Sequence, residues 1–311
     1  MNQEMNQEMT PSVTVRAAAK VNLHLGVGRL RPDGYHPLAT VYQTLSVHDD
    51  VTVSTSSRWS VDLICEDDID RGSFPTGEDN IVVRAGRLLA GRHGVDRAAE
   101  ITVRKSIPIA GGLAGGSADA AAALVALDRV WGVRTSDDDL LELAAQLGSD
   151  VPFALLGGTA LGTGRGELVT PVDDASTWWW VVVPSETGLS TPDVYRHFDR
   201  MFPDAPSEPV PADALLEAIA AGDAWGLADA LHNDLEAAAV DLRPELGKLI
   251  DTGESAGALR GMVSGSGPTC VFLCGSADHA RSLASELTAS GHPVVLAANG
   301  PVAGAHLVSY A

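Results

Sequence analysis

Hydrophobic and polar positions divide the chain into short strands and amphipathic helices. Residues 13–27 (VTVRAAAKVNLHLGV) predict extended structure: from Val21 the apolar positions 21, 23, 25 and 27 alternate with polar ones, so Lys20, Asn22 and His24 share one face. Strand-like runs follow at 38–47, 51–55 and 61–65, then a helix from Asn80 to Arg92 that stops near Gly91 and Gly94. A strand over 100–107 leads through a glycine-rich loop, Pro108 to Ser117 (PIAGGLAGGS), into a helix on which Leu124, Leu127 and Trp131 keep helical spacing. Ser136 to Leu147 predicts a capped helix, GSDVPF (148–153) the turn after it, and residues 157–167 a glycine-rich hairpin. The run 178–183 (WWWVVV) predicts a buried strand before a mainly helical block to about 252, which the Pro- and acid-rich residues 203–213 interrupt. The end is βαββ-like, with SGSGP (264–268) before a strand, a helix over 277–290, then PVVLAA and AHLVSY. Strands and helices in both halves without regular βα alternation predict an α+β fold.

Length and charge narrow this picture. The 311 residues exceed what one core usually holds and predict two domains. A net charge of −20 excludes a protein that grips a nucleic-acid backbone, so any anionic ligand must be met by a local device. The opening MNQEMNQEMT lacks the features of a signal or transit peptide, so residues 1–12 are expected to be a disordered tail and the protein to be cytoplasmic. No membrane partner is expected either: the longest apolar run, Trp178 to Pro184, falls far short of the roughly 20 residues a spanning helix needs. Three cysteines make no disulfide framework, and Cys270 and Cys274, on one face of a strand, read as buried thiols and not as a zinc pair. Only three lysines occur, Lys20, Lys105 and Lys248, in a chain that otherwise uses Arg, which marks each for a role needing a compact ammonium.

The loop from Pro108 to Ser117 is the strongest chemical signal. Its glycines let backbone N–H groups approach an anion, and the helix that follows adds unpaired donors and a partial positive charge, the makings of a phosphate cradle. The alternative is a flexible loop with Ser117 as N-cap. Neither GxxxxGK[ST] nor GxGxxG occurs, so the nucleotide-binding classes those motifs mark are excluded. GESAG (253–257) matches a GxSxG elbow at Ser255, but helix-like LGKLID precedes it where a strand is required. Asp150, ahead of Val151 and Pro152, is either a helix cap or an acid poised beside the Lys20 face, where an ammonium would keep it ionised and able to accept a proton.

Three segments together resemble the GHMP kinase superfamily. PIAGGLAGGSA (108–118) fits P-x-x-x-G-L-x-x-[GS]-S-[AS]; AKVNLHLGVGRLRPDGYHPL (19–38) is similar to the branch whose acceptor is a cytidine-diphosphate-linked methylerythritol; GSDVPF, GGTALGTGRGE and SGSGPTCVF follow in the family's order. The resemblance runs from about residue 14 to the C-terminus. It implies the two-domain GHMP kinase fold: an ATP-binding domain over 13–170 with a ribosomal-protein-S5-like fold, an α+β domain over 171–311, and the substrate cleft between them. It implies phosphorylation of the acceptor's 2-hydroxyl in non-mevalonate isoprenoid synthesis, with ATP carrying the Mg²⁺ and no metal ligands on the protein, in a monomer or weak homodimer. Carried over by position, Asp150 matches the catalytic base and Lys20 its cationic partner, Asn22 a substrate-side hydrogen bond, and Tyr35 and His36 the groups that hold cytosine. Tyr195 matches a second aromatic over that ring, with Thr191 beside it. Pro108, Ile109, Ala110, Gly111, Gly112, Leu113, Ala114, Gly115, Gly116, Ser117 and Ala118 match the nucleotide site, and Lys105, just before the loop, either lines the adenine pocket or is a surface strand lysine. Ala110 and Ala114 replace glycines common in this loop, which would tighten it or reflect negative φ there, and Asp119 stands where Asn is frequent.

Overall fold

The computed structural model describes residues 11–65, 74–75, 77–109, 112–185 and 187–308. Most of the tail expected over 1–12, and Ala110 and Gly111 of the loop, lie outside the described residues. The first sheet is built on two long antiparallel strands, β1 (Ser12–Val27) and β2 (Leu38–Ser56), with Lys20 opposite Thr44 and Asn22 opposite Tyr42. The two runs predicted at 38–47 and 51–55 are thus one strand. Between those runs stand the polar His48, Asp49 and Asp50, yet both carboxylates are answered inside the fold: Asp50 accepts from Arg16 Nε and Nη2 at 2.8 and 2.9 Å, and Asp49 from Lys105. A register shift between Ala18 and Ala19 leaves two extra residues on β2, a bulge that bends the strand without ending it.

Beyond β2 lie β4 (Ala98–Lys105) and, parallel to it, β3 (Ser60–Cys65); β5 (Thr159–Thr163) and β6 (Leu168–Val172) extend the sheet from β2 elsewhere along its length. The helices α1 (Ile81–His93) and α2 (Gly115–Trp131) pack with this sheet in one large core. Asn80 caps α1 through Val82 N, and Gly94 ends it in the left-handed region. Two short later strands, β8 (His232–Asn233) and β12 (His306–Val308), return to pair with β1, so the stretch 171–311 contributes to the sheet of 13–170.

The second sheet has four antiparallel strands in the order β11 (Leu296–Gly300), β7 (Trp178–Val183), β10 (Cys270–Cys274), β9 (Arg260–Val263). The unbroken apolar run of β7 has a direct cause. Trp178, Trp180 and Val182 enter the core shared with the first sheet, while Val181 and Val183 enter a second core formed with the later helices, so both faces are buried. Cys270 and Cys274 face that second core as free, buried thiols whose pKa values burial pushes up to about 12. Ser255 is the last residue of helix α9 (Pro244–Ser255), so the strand-turn-helix context of a nucleophile elbow is not present there. Two sheets with helices packed beside them, and not interleaved between parallel strands, make the fold α+β.

Candidate active site

Alternation along β1 brings Lys20 and Asn22 together as their spacing predicted: Lys20 Nζ donates to Asn22 Oδ1 at 2.7 Å, and Asn22 Nδ2 donates to Thr40 Oγ1 at 2.8 Å. Facing them is Asp150, just ahead of the short helix α4 (Val151–Leu156) with Pro152 in its first turn. The Asp150 side chain makes no capping hydrogen bond; its Oδ2 lies 3.7 Å from Lys20 Nζ, and the carboxylate is 32% exposed. A carboxylate that leaves its own helix uncapped and turns to a buried ammonium at the edge of a cavity is available to take a proton. Tyr42 completes the group, with Lys20 Nζ 5.7 Å from its ring centroid and the ring stacked on Phe153 at 4.9 Å. Burial and the adjacent Asp150 charge hold the Tyr42 phenol protonated.

The glycine loop lies against this group, since Lys20 N donates to Leu113 O at 3.1 Å. Helix α2 starts two residues before Ser117: Ala114 is the capping position, and no side chain caps the helix. The N–H groups of its first turn therefore have no side-chain acceptor. Ala114 adopts φ 56°, the left-handed conformation, which overturns the expectation of negative φ and costs an L residue about 1–2 kcal/mol. A Cβ on Gly115 would stand 3.0 Å from Lys105 Nζ, whereas at Gly116 nothing comes within 4 Å, leaving room for a ligand against bare backbone. At φ 74°, Gly112 packs against the SGSGP turn, where its Cβ would lie 2.8 Å from Gly267 O. Gly112→Ala is expected to force the two turns apart and cost about 2–3 kcal/mol in denaturant unfolding; unchanged stability would contradict this contact.

Lys105 is not a surface strand lysine. At 2% exposure its Nζ lies 2.5 Å from Asp49 Oδ2 and 2.9 Å from Asp119 Oδ2. Asp49 Oδ1 also accepts from Ser106 N and Ile107 N at 2.7 and 2.9 Å, fixing the entry to the glycine loop, while Asp119 Oδ1 is buried with no partner. Asp119 therefore turns to Lys105. Burial pushes its pKa up to about 8 with the Asp49 charge adding to the rise, although Lys105 opposes it. Burial works against the Lys105 charge, but the two carboxylates outweigh it and its pKa rises.

A cavity of about 1220 Å³ joins these groups to the remaining predicted residues that are described, except Ala118, which turns into the hydrophobic core; it is larger than the roughly 300–1,000 Å³ of one small-ligand site. Elsewhere along the cavity, Tyr35 is 50% exposed with Arg165 Cζ 4.6 Å from its ring centroid. The His36 ring lies 4.9 Å, tilted by 32°, from that of Tyr195, which α5 (Thr191–Met201) carries, and Thr191 Oγ1 and Ser266 Oγ are 2.8 Å apart, linking α5 to the SGSGP turn. Sequence reasoning missed Tyr42, Asp49, Arg165 and Asp199. Tyr42 was within reach, because period two puts it with Thr40 on one face of β2; the partners of Lys105 and His36 lie up to 163 residues away and carried no local signal.

The residues fit an anionic nucleotide: bare glycine backbone, an uncapped helix start and two buried lysines line one end of the cavity. No cluster of three or more His, Cys, Asp or Glu able to hold a metal occurs among the described residues. No helix among them is long and apolar enough to cross a membrane.

The pattern of the GHMP kinases N terminal domain matches residues 80–158, and that of the GHMP kinases C terminal region matches residues 215–293. Over 297 residues, 96% of this chain and 100% of the other, the chain is 75% identical to the 4-diphosphocytidyl-2-C-methyl-D-erythritol kinase of Nocardioides sp.. The protein of the same name from Thermobifida fusca is 52% identical over 305 residues, 96% of this chain and 98% of that one. A solved 4-(cytidine 5'-diphospho)-2C-methyl-D-erythritol kinase superposes with a TM-score of 0.75 at 34% identity, covering 92% of this chain and 98% of the other.

Proposed function

The chain belongs to the GHMP kinases, in the branch of the 4-diphosphocytidyl-2-C-methyl-D-erythritol kinases, and on that premise we propose that it transfers a phosphoryl group from ATP to the 2-hydroxyl of that cytidyl compound. The observation that carries the reading is the position of Asp150, uncapped and 3.7 Å from Lys20 Nζ, beside a strand whose backbone is bonded to the glycine loop. Asp150 accepts the proton of the acceptor hydroxyl, and Lys20, held by Asn22, stabilises the charge that develops on the attacking oxygen. The first-turn N–H groups of α2, together with Gly115 and Gly116, hold phosphate oxygens, and Lys105 lies behind them. Mg²⁺ carried on the nucleotide phosphates supplies the remaining charge neutralisation. Elsewhere in the cavity Tyr35 and Tyr195 stack on the cytosine and His36 bonds its edge, with Thr191 alongside; each base stack is worth about 1–3 kcal/mol. In this reading residues 13–170 bind ATP, residues 171–311 close the acceptor side, and the enzyme works in the cytoplasm as a monomer or weak homodimer.

The test is ADP release from Mg-ATP with the cytidyl-linked methylerythritol, beside homoserine, mevalonate and no acceptor. Turnover confined to the cytidyl compound is expected. Turnover with homoserine or mevalonate instead would keep the fold and change the acceptor, and no turnover with any of them would remove the reading.

A further inference from the structure

His36 is 8% exposed, and one of its two ring nitrogens is already committed: Nε2 lies 2.8 Å from Asp199 Oδ1. The partner comes from α5, where Tyr195, Phe198 and Asp199 stand three and four residues apart and so project from one helix face. All three meet the imidazole, Tyr195 at 4.9 Å between centroids, Phe198 edge-on at 6.3 Å, and Asp199 through its carboxylate. His36 lines the cavity, and no described residue hydrogen-bonds its Nδ1. A carboxylate can only accept. Nε2 must therefore carry a proton, and in the neutral ring Nδ1 is left as a bare acceptor.

We infer that Asp199 is a positioning residue that sets the tautomer of His36, so that Nδ1 accepts from the exocyclic 4-amino group of cytosine and disfavours the 4-carbonyl oxygen of uracil. The inference rests on reading the Tyr35–Tyr195 end of the cavity as a pyrimidine site. Two acceptors facing each other in a nearly buried site lose a hydrogen bond and leave lone pairs desolvated, the kind of mismatch by which sites reject near-isosteres. Binding uracil in the same pose would require Nδ1–H, which would turn the Nε2 lone pair onto the Asp199 carboxylate. The geometry thus assigns part of the cytosine preference to a residue outside every recognised motif, 163 positions from the imidazole it orients.

The probes are CDP and UDP, titrated by calorimetry into the full chain and into Asp199→Asn and Asp199→Ala, together with nitrogen NMR of the His36 ring assigned through His36→Gln. CDP is expected to bind the parent protein about 10- to 100-fold tighter than UDP. The parent spectrum should show Nε2 protonated and Nδ1 shifting on addition of CDP. Asp199→Asn keeps the size of the side chain but can donate to Nε2 and so admit Nδ1–H. It is expected to shrink the CDP:UDP ratio by about tenfold, with UDP gaining affinity, and Asp199→Ala should shrink it as well. A purely structural role would lower both affinities together. Equal binding of CDP and UDP to the parent protein, a ratio unchanged in both variants, or a parent His36 protonated at Nδ1 alone would overturn the inference. A CDP preference governed by Asp199 in a protein that does not phosphorylate the cytidyl compound would instead overturn the proposed reaction and leave this inference standing.

Discussion

Asp150→Asn is expected to lower turnover of the cytidyl acceptor by roughly 10²- to 10⁴-fold, the usual contribution of a positioned general base, while ATP binds with nearly unchanged affinity. The substitution is close to isosteric but puts an amide where a proton acceptor is needed. Lys20 keeps its 2.7 Å bond to Asn22, so the cation stays in place without the carboxylate it faces. No hydrogen bond or ion pair among the described residues joins Asp150 to the phosphate cradle: Lys105 is held by Asp49 and Asp119, and Gly112 packs on the SGSGP turn. Stability should also hold, because the carboxylate is a third exposed and caps no helix. Single-turnover and steady-state kinetics, with ATP titrated separately, separate these effects. A variant that turns over at the parent rate would show that the proton goes elsewhere.

What could be read from the chain follows from how each device is encoded. Lys20 and Asn22 were legible because a strand alternates faces every residue, so a period-two pattern is a statement about three-dimensional neighbours; His24 was not, because a one-residue bulge between Asn22 and His24 switches the faces and brings Leu25 to the cavity while His24 turns to Val210 O. The double burial of β7 was legible for the same reason, as a run with no polar face. The continuous β2 was not, because Asp49 and Asp50 interrupt its pattern until Arg16 and Lys105 are seen to answer them. Left-handed Ala114 was not legible either: the residue type argues against that conformation, and only the surrounding contacts impose it. The loop motif pointed to a phosphate, whereas the choice between Asp150 as a cap and as a base required seeing that its carboxylate makes no capping bond.

Lys105→Met is expected to destabilise the protein by about 3–5 kcal/mol at neutral pH, the range for removing one partner of a buried ion pair. The cause is what it leaves behind: Asp49 and Asp119, both buried, with no cation between them. The pH dependence makes the prediction specific. In the folded parent Asp119 keeps its proton up to about 8, but the unfolded chain releases it near 3.8, so the unfolded state binds fewer protons between those limits and stability falls as pH rises from about 4 to about 8. Without Lys105 the one group that lowers the Asp119 pKa is gone, while burial and the Asp49 charge remain, so that decline should continue above pH 8. The stability gap between parent and variant should therefore hold steady between about pH 5 and pH 8, where Asp119 keeps its proton in both, and widen above pH 8, as read from denaturant unfolding at pH 6 and pH 9. Adding Asp119→Asn to Lys105→Met removes the carboxyl group that would ionise at high pH and should recover part of the loss above pH 8, a coupling expected of residues in direct contact. A gap that does not change with pH would mean that the cluster holds no such proton. Because Asp49 also fixes Ser106 and Ile107 at the mouth of the glycine loop, the variant should bind ATP more weakly even where it is folded. That ties the folding cost of this buried cluster to the geometry of the phosphate cradle.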